Sequence, residues 1–245
     1  MKSNSRLRII GKIEIKSENV VKPIFFEGLK KIGNPIKLAQ KYYREEIDEI
    51  LLIDIVASLY RRGINFSLLK EISNNLFIPL IYGGGIKNLI DIENCLQNGA
   101  DKVSINTNAL KNLKLIKDAV KTFGSQCISI NIDAKKINND WFCFSDGGRI
   151  NSKKKVINWI REVQDLGVGE IIVQSIDTDG YTCGPDFNLY KKIYKKVKVP
   201  LVLCSGIRKI KHVKKIKKNF NPEAIAISSA LHYGELKPKT LKKVI

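Results

Sequence analysis

Histidine and cysteine are scarce in this chain, and the few present are scattered. The two histidines, His212 and His232, stand twenty residues apart, too few for a histidine-rich metal site. The five cysteines (Cys95, Cys127, Cys143, Cys183 and Cys204) form an odd set without metal-ligand spacing. Reduced thiols in a cytoplasmic protein, with no bound metal, are the expectation. No hydrophobic run approaches the length of a membrane span, and the polar, lysine-bearing N-terminus lacks the apolar stretch of a signal peptide. No membrane partner is therefore expected. Acids are outnumbered, 24 against 43 basic residues, for a net charge of +19. That excess invites a nucleic-acid reading. However, Lys209, Lys211, Lys214, Lys215, Lys217 and Lys218, like Lys153 to Lys155, fall in helical patterns or just before them. No aromatic residues interleave with them as a stacking platform would require. Isoleucine, asparagine and lysine are abundant together, as a composition bias produces. A solvated helix face is the better reading, so no nucleic-acid partner is expected; a weak attraction for anions follows.

What the chain does have is an internal repeat. Ile78-Pro79-Leu80-Ile81-Tyr82-Gly83-Gly84-Gly85-Ile86 returns 121 residues later as Val199-Pro200-Leu201-Val202-Leu203-Cys204-Ser205-Gly206-Ile207. A proline opening a short apolar run closed by glycine reads as a buried strand ending in a tight turn. The same offset relates Asp48-Glu49-Ile50-Leu51 to Gly169-Glu170-Ile171-Ile172. An offset of 122 relates Val103-Ser104-Ile105-Asn106 to Ile225-Ala226-Ile227-Ser228. Three matches in one order indicate a duplicated half. Strand patterns lie near 8–14, 49–54, 79–82, 102–105, 127–132, 170–174, 200–204 and 224–227. Helical patterns lie near 34–46, 64–75, 88–98, 110–122, 154–166, 186–196 and 208–218. This alternation predicts an α/β fold, a (β/α)8 TIM barrel with a twofold half-barrel repeat. No linker divides it, so 1–245 reads as one domain with halves near 1–123 and 124–245. The stretch from about 16 to 33 reads as the longest irregular loop, a candidate lid.

Chemistry in such a barrel sits where strands end. Those ends carry Glu14, Asp54, Gly83 to Gly85, Asn106-Thr107, Asp133, Asp177 with Asp179-Gly180, Ser205-Gly206 and Ser228-Ser229. The duplication pairs Glu14 with Asp133, one carboxylate from each half. It also pairs Gly84 and Gly85 plus Asn106-Thr107 with Gly206 plus Ser228-Ser229. Glycine turns and small hydroxyl residues before helices present N–H groups to phosphate. Two such sites facing each other, with two acids between, imply a substrate phosphorylated at both ends. Four charged residues at strand beginnings, Arg8, Glu49, Lys102 and Glu170, read as an ion-paired plug of the barrel floor, since unpaired charge there is costly.

With these residues assembled, the chain resembles the cyclase subunit of imidazole glycerol phosphate synthase over essentially its whole length. The matching stretches include Arg8-Ile9-Ile10, Val20-Val21-Lys22, Leu52-Ile53-Asp54-Ile55, Gly83-Gly84-Gly85-Ile86, Asp101-Lys102-Val103-Ser104-Ile105-Asn106-Thr107, Ile132-Asp133-Ala134-Lys135, Asp177-Thr178-Asp179-Gly180 and His232-Tyr233-Gly234-Glu235. The resemblance implies a glutaminase partner whose ammonia crosses the barrel to a bis-phosphorylated ribulosyl substrate. The products would be imidazole glycerol phosphate and an aminoimidazole carboxamide ribotide, with no cofactor. It implies Asp133 as general acid/base with a second acid at Glu14, and Lys22 as a loop contact to substrate. The glycine/hydroxyl clusters would be phosphate sites. Arg8, Glu49, Lys102 and Glu170 would be the ammonia gate on the N-terminal face, where the glutaminase docks beside Asp101.

The sequence also departs from that family. Its first catalytic aspartate is Glu14 here, and a displacement of ~1 Å at such a group can cost roughly 10²-fold in rate. Gly11 and Lys12 replace a proline and a cysteine, Pro23 replaces a glycine, and Ser205-Gly206 stands where two glycines are usual. Tyr82, Ile86 and Lys87 are similar to a paralogous branch from surface-polysaccharide and flagellin-sugar gene sets. For that branch the implied role is to pass ammonia to a third protein that amidates a nucleotide sugar. The sister isomerase, also a duplicated barrel, needs no ammonia, and the four gate charges argue against it. A channel scaffold without chemistry is the non-enzyme alternative, and Asp133 argues against that.

Overall fold

Alternation along the first strand sets the architecture of the computed structural model, which describes residues 6–180 and 184–245. Ile9, Ile13 and Ile15 join a large cluster beneath the helices, whereas Ile10 joins a small separate one inside the sheet. Successive side chains thus point alternately to helices and to the barrel interior, as the period of a strand requires.

Twelve strands form among the described residues. In chain order they are β1 (Arg8–Lys16), β2 (Asn19–Ile24), β3 (Glu27–Gly33), β4 (Glu49–Asp54), β5 (Leu80–Gly83), β6 (Lys102–Ile105), β7 (Ile128–Ile137), β8 (Asp140–Ser145), β9 (Ile150–Lys155), β10 (Glu170–Ser175), β11 (Leu201–Cys204) and β12 (Ala224–Ile227). Eight are parallel neighbours in the order β10, β11, β12, β1, β4, β5, β6, β7, and β7 pairs back to β10. The sheet closes into an eight-stranded barrel with helices between consecutive barrel strands, as expected. Expected helix starts hold at two places. The Asn34 side chain accepts from Lys37 N, with Pro35 in the first turn, and the Asp186 side chain accepts from Leu189 N. Helix Ile210–Phe220 buries His212, Val213, Ile216 and Phe220, leaving most of its lysines exposed to solvent. No helix among the described residues is long and apolar enough to cross a membrane. Cys183 lies outside the described residues.

The repeat shows in the backbone. Gly84 and Gly85 have φ of 102° and 78°, and Ser205 and Gly206, 121 residues on, have 77° and 69°. Asn106 (φ −122°, ψ −78°) and Ser228 (φ −114°, ψ −88°) share another uncommon conformation.

Two expectations need correction. The stretch 16 to 33 is not an irregular loop. It is an antiparallel arm, in which β2 pairs with the end of β1, and β3 with β2. Val20 and Val21 are buried and carry the arm, while Pro23 and the flanking lysines hide that pattern in the sequence. The second half repeats the device with β8 and β9 on the extended β7. Both arms turn at a left-handed residue, Ser17 (φ 57°) and Asn138 (φ 54°), again 121 apart. The helix expected at 110–122 is two pieces, Thr107–Lys111 and Leu113–Phe123, divided at Asn112, whose side chain caps the second by accepting from Leu115 N.

Candidate active site

Inward positions stack along the barrel axis in layers. The lowest layer is ionic. Arg8 donates to Glu49 at 2.5 Å and to Glu170 at 2.7 Å, and Lys102 donates to Glu49 at 2.9 Å and to Glu170 at 3.4 Å. The four charges close a ring, the plug expected from their places at strand beginnings. Two residues further along the strands comes an apolar belt that includes Ile10, Leu51, Ile81, Ile172, Val202 and Ala224. Two residues further again, the side chains are Lys12 on β1, Gln174 on β10, Ser104 on β6 and Asn131 on β7, and these floor a cavity of about 630 Å³. Glu14 and Asp133 stand one step above. Asp54, Gly84, Gly85, Asn106 and Thr107 form one side of the cavity wall. The arm tips roof it with Phe25, Phe26, Gly147 and Gly148. Gly148 has no room for a Cβ, which would lie 2.7 Å from the Phe26 ring. Phe25 and Phe26 are both left-handed, at φ 52° and 67°, a conformation that costs roughly 1–2 kcal/mol per residue outside glycine.

The two acids differ sharply in environment. Asp133 is buried and accepts from the Asn131 and Asn106 side-chain amides, each at 2.8 Å. Burial raises its pKa to about 6, against the pull of Lys12 and these two hydrogen bonds. Glu14 is 1% exposed and fully occupied: it accepts from Lys12 Nζ at 2.8 Å, Lys22 Nζ at 2.6 Å and Ser228 Oγ at 2.9 Å. Burial opposes its ionisation, but Lys12 and Lys22 together hold it well below the usual carboxylate range. Lys22 also donates to Asp179 at 3.0 Å. Burial raises the Asp179 carboxyl, with Lys22 opposing. Behind Ser228, His232 Nε2 lies 3.0 Å from the hydroxyl, and its Nδ1 lies 2.5 Å from the Tyr42 hydroxyl. Burial lowers the His232 pKa to about 4, so the ring is neutral near pH 7, and a proton on Nε2 satisfies both contacts. Gly11 makes this possible, since a Cβ there would lie 2.8 Å from the Tyr42 ring.

Several site expectations are therefore modified. Lys22 is a buried strand residue locked between two carboxylates, not a loop residue. Glu14 faces Asp133 across the same cavity floor but is a saturated counter-ion. The two glycine/hydroxyl clusters are also unequal. Gly84 and Gly85 border the cavity, and a Cβ on Gly84 would meet Asp54 O at 2.3 Å. Gly206, Ser228, Ser229, Asp179 and Gly180 do not border it; Gly206 packs on the Gly184 backbone, and Gly180 on Pro23 O. The Thr107 hydroxyl accepts from Asp146 N at 3.0 Å, a contact to the second arm. Asp54 accepts from Val56 N and faces Arg62 at 3.3 Å. Asp101 accepts from Leu80 N on the opposite face. Sequence reasoning noted Lys12 only as a departure from the family and gave no role to it or to Gln174, Asn131 and Ser104. Stepping by two from Arg8, Glu170, Ser129 and Lys102 finds all four. The side-chain oxygens of Ser104, Asn106 (Oδ1) and Asn131 (Oδ1) are buried with no hydrogen-bond partner in the protein.

The sequence that builds this barrel and its cavity is similar to known proteins along nearly its whole length. A family model described as histidine biosynthesis protein matches residues 8–237. This chain belongs to that family. An imidazole glycerol phosphate synthase subunit HisF from Clostridium botulinum (strain Okra / Type B1) is 39% identical over 240 residues, covering 97% of this chain and 95% of the relative. The subunit HisF of Campylobacter concisus (strain 13826) is 40% identical over 238 residues, covering 97% and 94%. That of Saccharolobus solfataricus is 37% identical over 238 residues, covering 97% and 95%. Membership in the family thus spans the whole barrel and both arms.

Proposed function

We propose that this chain is the cyclase subunit of an imidazole glycerol phosphate synthase, a lyase working within a glutamine amidotransferase complex. It takes ammonia from a glutaminase partner and a bis-phosphorylated ribulosyl-formimino-aminoimidazole carboxamide ribotide, and releases imidazole glycerol phosphate and aminoimidazole carboxamide ribotide. The observation that carries the reading is the single axis on which an ion ring, an apolar belt and an acid-bearing cavity follow one another. An uncharged small nucleophile can traverse such a belt, whereas ions are penalised there.

Asp133 is the general acid/base, with a pKa suited to giving and taking protons near neutral pH. Gly84, Gly85, Asn106 and Thr107 hold one phosphate. Gly206, Ser228 and Ser229, with Asp179 and Gly180, hold the other once Pro23 and the first arm give way. Lys22 then exchanges a carboxylate partner for substrate. The glutaminase docks on the N-terminal face, where a groove lined by Leu76, Phe77, Pro79 and Asp101 opens near Lys102. Phe77, 87% exposed, is its apolar anchor. The same reading treats 1–245 as one domain of two halves, 1–123 and 124–245, since each half supplies four neighbouring strands of one closed sheet.

Incubation of the purified chain with the ribotide and ammonium at alkaline pH tests the proposal. Loss of substrate with formation of both products is expected, and no turnover would overturn it. One observation favours a second reading, in which the ammonia serves a third enzyme amidating a nucleotide sugar: Glu14 is saturated by Lys12, Lys22 and Ser228 while the ion ring is complete. That reading gains ground if Glu14→Asp also fails to turn over the ribotide.

A further inference from the structure

We propose that Lys12 is a positioning residue of this site: its ammonium fixes Glu14 as a permanent counter-ion and leaves Asp133 as the one carboxyl that moves protons. The inference rests on the cyclase reading above and deepens it.

Lys12 projects inward from β1, one step above the apolar belt and one below Glu14, and is 3% exposed. An ammonium at such a depth is strongly penalised unless paired, and this one is paired on two sides. It donates to Glu14 Oε1 at 2.8 Å and to Gln174 Oε1 at 2.5 Å. Gln174, on the far side of the barrel, thus draws Lys12 across the axis rather than along β1. Three carboxylates converge here, Glu14, Asp133 and Asp179, against two ammonium groups, Lys12 and Lys22. Lys22 is bound to Glu14 and Asp179 alone, so Lys12 supplies the cation that Asp133 feels.

The groups facing each partner define what Lys12 controls. Around Glu14 are Lys12, Lys22, Asp179, Ser228 and, through that hydroxyl, His232 and Tyr42. Around Asp133 are Asn131, Asn106, Lys12, Asp179 and the Cys143 and Cys204 thiols. Of these, Lys12 alone is a cation common to Glu14 and Asp133. Removing it strips Glu14 of one of two ion pairs and Asp133 of its opposing charge, so both carboxyls become harder to ionise. A lysine with a merely structural role would leave both titrations in place.

Carbon-13 NMR titration of the side-chain carboxyls in the wild type, Lys12→Met and Lys12→Arg tests this, together with the pH dependence of ammonium-driven turnover. In Lys12→Met the Asp133 titration moves up by about one pH unit or more, Glu14 moves up too, and the acidic limb of the rate follows Asp133. Lys12→Arg keeps both titrations near their wild-type positions. Unmoved titrations in Lys12→Met overturn the proposal. Should that variant not fold, the wild type still decides: Glu14 titrating above about pH 4 contradicts the assignment. Titrations that shift as stated in a chain that turns over no ribotide uphold the role of Lys12 and sink the cyclase reading instead.

Discussion

The carboxyl of Asp133 is kept ready to protonate at a cost to the fold. Its folded pKa of about 6 lies above the unfolded value, so its ionised form is disfavoured in the native state. The resulting penalty is full above pH 6, shrinks as pH falls through that value, and vanishes below the unfolded carboxyl pKa. Asp133→Asn should therefore stabilise the protein at pH 8 by about 1–3 kcal/mol, measured by urea unfolding. The Asn131 amide can turn its unpaired oxygen to the new NH₂ group, while Asn106 keeps donating to the new amide oxygen and to Phe144 O. The same variant should lose about 10²–10⁴-fold in ammonium-driven turnover. Destabilisation with activity retained would mean that the acid lies elsewhere. Asp133 was legible from its strand-end place and its repeat partner. What hid the saturation of Glu14 is that Lys12, Lys22 and Ser228 lie 2, 8 and 214 residues away along the chain, and only closure of the barrel brings the last to it.

At the scale of the element, turns and strand alternation decide what the sequence discloses. The Gly84 turn is an absolute requirement, because φ is 102° and a Cβ would lie 2.3 Å from Asp54 O. Gly84→Ala should cost more than about 2 kcal/mol, seen as a lowered Tm, and an unchanged Tm would show that the turn can relax. The arms were illegible for a physical reason. Their strands are short, β3 and β9 bury no residue fully, and Pro23 and Lys153 to Lys155 fit no alternating pattern. Their stability comes from pairing on the over-long β1 and β7 rather than from local preference. The ion ring, in contrast, was legible because each member opens a strand. Glu49→Gln should leave Arg8 and Lys102 sharing Glu170 as their one carboxylate in the ring. It should also reduce glutamine-driven turnover with the glutaminase more than ammonium-driven turnover by the chain alone. Equal reductions would show that the ring is structural only.

For the whole molecule, the duplication supplies the geometry and the two faces differ. One face carries the ring and the groove beside Phe77; the other carries the roofed cavity. Phe77→Asp should weaken glutaminase binding at least about tenfold by titration calorimetry while leaving ammonium-driven turnover intact, because it is remote from the cavity. Unaltered affinity would move the docking surface elsewhere. The duplication was visible from three short matches, yet it hid the asymmetry between halves. Asn106 hydrogen-bonds Asp133, whereas its repeat partner Ser228 hydrogen-bonds Glu14 and backs onto His232, so equivalent positions hold two acids in opposite states.

The most direct test of the account is the pH–rate profile of ribotide consumption at a fixed concentration of free ammonia, for wild type and Asp133→Asn side by side. The account predicts wild-type turnover with an acidic limb near pH 6, set by Asp133, and a residual rate in the variant that lacks this limb. A limb near pH 6 that survives in Asp133→Asn, or a wild type that consumes no ribotide at any pH, would contradict it.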